Sequence, residues 1–343
     1  MQQRHIWKFS ERTGINPMND HAYTPNYPVD LHCHTTRSDG ADTPLMLIDH
    51  AAELGMKVIA ITDHDVRPPE TIMIDDTLEI IPVEQYARNK GVTVLRGIEI
   101  SCETTAEDCH LVCFGCDWSD PFFTKLEQDV IRAKVESYHR LTAALTSAGM
   151  PLSWKEVLDN NGHPIDENQI QKKMIFELMA RKGYAEDWSK AKLMVKNNPA
   201  FQSLRRKPDP LFVISEVHRC GGIAIMAHPY LVNDPIFLPE GRISRHDYID
   251  RLIHWGLDGI EACYTYEKTS YDGTQSAKEI EREIKLQYAD RLSIISGGSD
   301  YHADEKKGVQ NPRRLGECGL TWDEFNHNLK LRSLLEHQAD PRH

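Results

Sequence analysis

Short apolar runs, several rich in Val and Ile, alternate along the chain with longer stretches whose apolar residues recur at helical spacing. Seven runs stand out: "VDLHCHT", "KVIAITDHD", "VTVLRGIEIS", "CHLVCFGCD", "GGIAIMAHPY", "LDGIEACYT" and "LSIISGGSDYH". Runs of this length and composition predict strands. Most are separated by helix-like segments, so the pattern predicts parallel βαβ units in an α/β fold, either a barrel or a doubly wound sheet. One long interruption breaks the alternation. Residues 121–210, between the fourth and fifth runs, are helical in pattern, as in "FTKLEQDVIRAKVESYHRLTAALTSAG" with Gly149 as its stop, and "NQIQKKMIFELMARKGY" ending at Gly183. This predicts a helical subdomain inserted into a body made of residues 29–120 and 211–320. Residues 1–28 read as an irregular extension, and residues 321–343 as a short amphipathic helix and tail.

The 343 residues suffice for one large α/β barrel or two ordinary domains. No run approaches a membrane span, and the first twenty residues lack the apolar core of a signal peptide. The expectation is a soluble, cytoplasmic protein. Of eight cysteines, Cys113 and Cys116 form a lone C-x-x-C pair. A structural zinc site wants a second such pair, so reduced, buried thiols are expected. The net charge of −12 argues against a nonspecific grip on long nucleic acid. That charge is uneven: residues 121–210 carry 15 Lys and Arg against 11 Asp and Glu, a net of +4. A locally basic segment on an acidic body suggests a surface that meets anions.

In parallel α/β folds, chemistry collects at the carboxyl ends of the strands. In "VDLHCHTTRSDG", residues i and i+2 of a strand share a face. His32 and His34 therefore point together and Cys33 points away, with Asp39 in the loop beyond. The second run ends in Asp63-His64-Asp65, the third carries Glu99, and the fourth region brings His110. The fifth ends in His228 and the seventh in Asp300-Tyr301-His302, which repeats the i, i+2 spacing. Six imidazoles and three carboxylates are too many for one ion, because first-row metals take four to six ligands. The count suggests two or three divalent ions. A mixed N/O set suits Mn²⁺ best, with Fe²⁺ or Zn²⁺ as alternatives. Clustered divalent ions activate water and hold phosphoryl oxygens during in-line displacement.

"DLHCHT", "TDHD", "GIEIS" with the following "CHLV", "AHP" and "GSDYHA" together resemble the successive motifs of the PHP (polymerase and histidinol phosphatase) superfamily. The helical insertion is similar to that of its stand-alone nucleotide- and RNA-processing branch. The resemblance spans residues 29 to 320 and implies a distorted, TIM-like (β/α)7 barrel with a trinuclear metal site at its carboxyl face. It implies His32, His34, Asp39, His64, Glu99, His110, His228, Asp300 and His302 as ligands, the same set reached from the strand ends. It further implies Glu99 as a bridging ligand and a metal-bound hydroxide as the attacking species. Within the set, His64, Asp39 and His228 are expected to serve the chemical step. Amidohydrolases also open with H-x-H, but they commonly place a carboxylated lysine at strand four, where this chain has "CHLVCFGCD" and no lysine.

Other nearby groups are expected to play lesser parts. Asp63 and Asp65 read as supports for an imidazole or, for Asp65, a helix cap. Glu261 reads as packing or as support behind the ligands, Cys33 as core, and Arg67 as exposed. His50, His163, His218, His254 and His327 read as surface or core histidines. The substrate phosphate needs further cations, and Arg140, Lys172, Arg205, Arg206 and Lys207 are the candidates. Related proteins carry "RPHIARALVERGY" where this chain has "KKMIFELMARKGY". Aligned on Gly183-Tyr184, Lys172 stands in place of the arginine and Met174 in place of the histidine.

The sequence thus points to a metal-dependent phosphoesterase acting on a small phosphorylated molecule, a nucleotide or the end of a short oligonucleotide. The alternatives are a histidinol-phosphate phosphatase, which the long basic insertion disfavours, and a noncatalytic scaffold, which the nine filled ligand positions disfavour. The oligomeric state is open.

Overall fold

The computed structural model describes residues 23–74, 77–102, 109–160, 162–203, 205–238 and 241–338. Most of the N-terminal extension (1–22) and the tail (339–343) lie outside the described residues. Each of the seven apolar runs contributes one strand to a single sheet: β1 (Val29–Asp30), β2 (Val58–Ile61), β3 (Thr93–Cys102), β4 (Cys109–Phe114), β5 (Ile223–Met226), β6 (Gly259–Cys263) and β7 (Ile294–Gly297). Their spatial order follows the chain. The pairs β1–β2, β2–β3, β5–β6 and β6–β7 are parallel, but β4 is antiparallel to both of its neighbours. This departs from the uniformly parallel expectation for a physical reason. A parallel return needs a dozen or more residues, and only residues 103–108 separate β3 from β4.

The sheet curls until its ends meet. Leu31 N–H donates to Gly297 O (3.3 Å), Tyr301 N–H to His32 O (3.2 Å) and His34 N–H to Tyr301 O (2.8 Å). Gly298 permits this seam, since a Cβ there would lie 2.3 Å from the His32 Cβ. The buried Asp30 carboxylate pins it, accepting from Ser299 N–H (2.9 Å), Ser299 O–H (2.5 Å) and Gly316 N–H (2.8 Å). The result is a distorted (β/α)7 barrel.

Alternation along the strands builds its interior in two layers. Leu95 on β3, Val112 and Phe114 on β4, Ile225 on β5 and Val58 and Ala60 on β2 form a buried apolar cluster inside the barrel. Glu99 and His110 occupy the same faces of β3 and β4, nearer the mouth. Phe325, Leu331 and Leu334, from α10 (Trp322–His327) and α11 (Leu329–Gln338), plug the other end. The outward residues pack against α1 (Pro44–Glu53), α2 (Val83–Asn89), α7 (Pro210–Arg219), α8 (Arg245–His254) and α9 (Ala277–Tyr288). The cysteines are free thiols, and all but Cys318 are buried.

Three helices open on the same local code: Thr43-Pro44, Asp120-Pro121 and Asp209-Pro210 each place an N-cap oxygen before a proline at the first helical position. The reversal of β4 determines where the helical segment begins. Its chain leaves the sheet at the far end of the barrel, and α3 (Pro121–Ser147) climbs the wall for about 40 Å at 1.5 Å per residue. Its start is tied down by Arg219, which donates to both oxygens of Asp120 (2.8 and 2.9 Å). Phe123 and Leu126 belong to the barrel's outer core. From Val135 onward, α3 packs instead with α4 (Trp154–Leu158), α5 (Lys172–Arg181) and α6 (Trp188–Lys196) around a separate cluster of Tyr138, Leu141, Leu145, Ile175, Met179 and Val195.

Truncating the plug residue Phe325 to Ala is expected to cost about 3–5 kcal/mol, as other buried Phe→Ala changes do. The control Leu286→Ala, at a side chain 80% exposed, should stay within about 0.5 kcal/mol of the parent. Urea unfolding followed by far-UV circular dichroism measures both.

Candidate metal centre at the barrel mouth

The nine residues singled out from strand ends converge on one pocket, and the carboxylate of Glu99 lies at its centre. Glu99 Oε2 is 3.1 Å from each of His32 Nε2, His34 Nε2 and His64 Nδ1. Glu99 Oε1 is 2.8 Å from His110 Nδ1 and 3.0 Å from His228 Nε2. Asp300 Oδ1 is 3.0 Å from His34 Nε2 and 3.4 Å from His302 Nδ1. Asp39, the most exposed member, reaches His302 Nε2 at 3.0 Å. His110 owes its place to the reversed strand: it stands at the start of β4, not at a carboxyl end, and only the antiparallel direction brings it to the mouth beside Glu99.

This arrangement fits divalent cations. His32 Nε2, His34 Nε2, His64 Nδ1, His228 Nδ1 and Glu99 Oε2 are buried and make no hydrogen bond. Buried polar atoms are normally satisfied. Cations among them would meet these lone pairs together. Among the described residues, three groups have donor atoms within 4.8 Å of one another: His34, Asp39, His64 and His302; His32, His34, Glu99 and Asp300; and His64, Glu99 and His110. His34, His64 and Glu99 each appear in two groups, the pattern that shared ligands between neighbouring ions require.

Supporting contacts fix which nitrogens face inward. Glu261 accepts from His32 Nδ1–H (3.2 Å) and, through its other oxygen, from the His228 backbone N–H (2.8 Å). His302 Nδ1–H donates to Asp300 O (2.8 Å), leaving Nε2 toward Asp39. Burial pushes the Glu99 carboxyl up, but His64, His32 and His110 outweigh it and hold the group well below the usual carboxylate range. Burial also opposes ionisation of Asp300, yet the surrounding imidazoles and Arg313 keep it well below its ordinary value. Backbone strain gathers here too: Asp65, His228, Asp300 and Ala303 all have positive φ (55°, 27°, 53° and 51°).

The minor residues sort differently from the expectation in places. Among the described residues, Asp63 hydrogen-bonds to no imidazole. It accepts from Thr35 N–H (2.7 Å), Thr35 O–H (2.7 Å) and Ser38 O–H (2.6 Å), bracing the loop that carries Asp39. Asp65 caps the Ser101 N–H (2.8 Å) instead of a helix. Arg67 is not simply exposed: it grips Glu127 of α3 through Nε (3.0 Å) and Nη2 (3.2 Å), linking the loop after β2 to the helical segment. His50 meets the Tyr301 hydroxyl and His218 meets Asp258, both away from the pocket.

Two residues that hold Asp300 escaped sequence reasoning. Arg313 Nη1 and the Tyr264 hydroxyl donate to Asp300 Oδ2 (2.5 and 2.8 Å), leaving Oδ1 for the histidines. Tyr264 follows the end of β6, so the strand-end rule could have found it. No spacing marks Arg313. Among the phosphate-binding candidates, Arg205 lies over the Tyr138 ring (5.5 Å) and donates to its hydroxyl (3.0 Å). Its charge acts on Lys172 and on Lys134, a third cation the sequence did not single out. Arg206 and Lys207 line a groove of about 470 Å³ against α3, and Arg140 pairs with Glu136 of its own helix (3.9 Å).

A model of the PHP domain family matches residues 30–204. A 5'-3' exoribonuclease of Haemophilus influenzae is 27% identical over 304 residues, covering 88% of this chain and 94% of that one. A 3',5'-nucleoside bisphosphate phosphatase of Chromobacterium violaceum is 25% identical over 288 residues, covering 82% and 89%. The crystal structure of a proposed metal-dependent phosphoesterase from Bifidobacterium adolescentis superposes with a TM-score of 0.60 at 25% identity, covering 93% of this chain and 99% of that one.

Glu261 touches two of the converging residues without entering the pocket, so its loss should be felt as weaker metal binding. Glu261→Ala is expected to reduce affinity for divalent cation about 10- to 100-fold. Competition with a fluorescent chelator reads this directly, and Glu261→Gln, which keeps an acceptor for His32, should lie between the two.

Proposed function

From the premise that this chain belongs to the PHP domain family, we propose that it is a metal-dependent hydrolase of phosphate esters that acts on a nucleotide or the 5′-phosphorylated end of a short oligonucleotide. The observation that carries the reading is the single pocket in which six imidazoles and three carboxylates converge, with several of their buried lone pairs unsatisfied. His32, His34, Asp39, His64, Glu99, His110, His228, Asp300 and His302 would hold two to three divalent ions, Mn²⁺ in preference, with Glu99 shared between them. When bound, such ions supply Lewis-acid charge at phosphoryl oxygens and lower the pKa of water toward neutrality.

The chain's own groups supply the rest. Hydrolysis forms a bond from water oxygen to phosphorus and breaks the ester P–O bond, so one proton leaves the water and one reaches the departing oxygen. His64 is partly open to solvent, and with its Nδ1 turned to Glu99 it is the imidazole assigned to move a proton through its other ring nitrogen. His228, buried beside Glu99, is assigned to the chemical step through that contact. Asp39, at the exposed rim, keeps a carboxylate facing the entrance. Arg313 and Tyr264 orient Asp300. On the helical segment, Lys134, Lys172 and Arg205 form a cluster with no carboxylate within ion-pair distance among the described residues, and we assign it to the distal phosphate of the substrate. The nucleotide-directed activities of the Haemophilus and Chromobacterium relatives support the substrate class. No helix of the described residues is long and apolar enough to cross a membrane.

Protein reconstituted with Mn²⁺ should release phosphate or nucleotide from a panel of 5′-mononucleotides, 3′,5′-bisphosphates, histidinol phosphate and short 5′-phosphorylated RNA and DNA. Loss of turnover by about 10²- to 10⁴-fold in His64→Ala is expected if that residue handles a proton. Silence across the panel, in protein shown to hold its metals, would sink the reading. Arg205→Ala should raise KM for a bisphosphate about 10-fold or more by removing one charged hydrogen bond, with kcat little changed.

A further inference from the structure

The helical segment carries a feature that a mononucleotide pocket does not need. Residues 170–207 hold ten Lys and Arg against three Asp and Glu, a net of +7 in a chain whose total is −12. On α6, Trp188, Lys192 and Lys196 stand at i, i+4 and i+8, and so form one stripe along the helix. Ala191 and Val195, at i+3 and i+7 from Trp188, run beside this stripe and anchor the helix in the segment's core. Trp188 is 42% exposed, although an indole is among the most costly side chains to leave in water. Lys173 Nζ sits 5.0 Å above its ring. Among the described residues, no carboxylate lies within ion-pair distance of Lys172, Lys192 or Arg205. Of the three nearby acids, Glu177 pairs with Lys173 (3.5 Å) and Asp187 caps α6 through Lys190 N–H (2.8 Å), leaving Glu186.

These cations follow α3 away from the loop after β2, whose Arg67 holds Glu127. Arg206 and Lys207 line the groove that α3 forms between Phe122 and Glu136, and Arg205 donates to the hydroxyl of Tyr138 on the same helix. We propose that the Trp188–Lys192–Lys196 face of α6 is a docking surface for the body of a short single-stranded oligonucleotide whose phosphorylated end enters the barrel mouth. This rests on the phosphoesterase reading above and narrows its substrate class. Proteins that hold single strands combine a basic track with aromatic platforms, because every base has a π-face that can stack while the backbone follows the cations. A lipid surface would want a broader apolar face. An acidic peptide would meet the lysines but has no use for the indole. The acidic remainder of the chain repels a long polymer and limits the track to a short strand.

The test is binding in chelator, so that no hydrolysis intervenes. Full-length protein is titrated into 5′-phosphorylated, 3′-fluorescein RNA, a dinucleotide and an octanucleotide, and followed by fluorescence anisotropy. The octanucleotide should bind about 10-fold tighter or better. Trp188→Ala should weaken it about 5- to 100-fold, the range for one stacked base, and Trp188→Phe should restore most of the loss. The double variant Lys192→Glu/Lys196→Glu should flatten the dependence of log K on log salt by about 0.7 for each phosphate it no longer neutralises. Turnover of a 3′,5′-bisphosphate should be unchanged in all three. Equal affinity for the two RNAs, or an octanucleotide affinity indifferent to Trp188→Ala, would overturn the proposal while leaving bisphosphate hydrolysis intact. Equal displacement by polyglutamate in parent and Trp188→Ala protein would overturn it as well, by showing a general polyanion face.

Discussion

Everything at the mouth of this barrel depends on one buried carboxylate. Glu99 stands within 3.1 Å of five imidazole nitrogens contributed by the regions of four other strands. Five rings so close, with several of their nitrogens cut off from water, would be a poor arrangement without a charge to organise them. The carboxylate gives them a common centre, and the imidazoles in turn keep it ionised against its own burial. Neither partner is stable there without the other. Cations shared across this centre would replace close lone-pair contacts with bonds, which is why the site reads as built for metal and not as a network of buried hydrogen bonds.

That centre exists because of two features of the sheet. The alternation of β3 places Glu99 on the same face as Leu95, so a strand that packs the apolar floor of the barrel also delivers the acid above it. The short link after β3 forces β4 to run backward, which lays His110 across from Ser101 and so beside Glu99. The same reversal sends the chain out at the far end of the barrel, and α3 must then climb the full wall. Its clasps to Arg219 and Arg67 hold that climb in place. The strand that carries one of the five imidazoles is therefore the strand that determines where the basic helices are launched.

The amino-acid sequence made much of this legible, and the gaps have identifiable causes. All seven strands were visible as apolar runs, and the nine converging residues were visible as polar residues at their ends. The rule that located them holds for parallel strands. It reached His110 although β4 is antiparallel, because a reversed strand brings its first residues to the mouth instead of its last. The direction of β4 itself was readable in the brevity of residues 103–108 but was masked by the βαβ rhythm around it. Asp63 shows the limit of inference from adjacency: standing next to His64, it braces Thr35 and Ser38, since successive residues on an extended chain face opposite ways. Arg313 could not have been found at all, because its contact with Asp300 depends on a loop returning to the pocket, and no period of the chain records that return.

The distribution of charge follows from the same architecture. A pocket that gathers carboxylates for cations lies on an acidic body, and such a body on its own would repel phosphorylated substrates. Under the proposed function, cations on a separate helical segment would resolve the conflict, because there they do not pair off the carboxylates inside the pocket. Arg206 and Lys207 line the groove against α3, while Arg205, Lys172 and Lys134 stand farther along without acidic partners among the described residues. On the proposed reading, an anion drawn to the segment would be brought toward the pocket, and the acidic body would disfavour other approaches. The insertion would then supply attraction and the barrel chemistry, with the long climb of α3 as the structural condition for keeping the two apart.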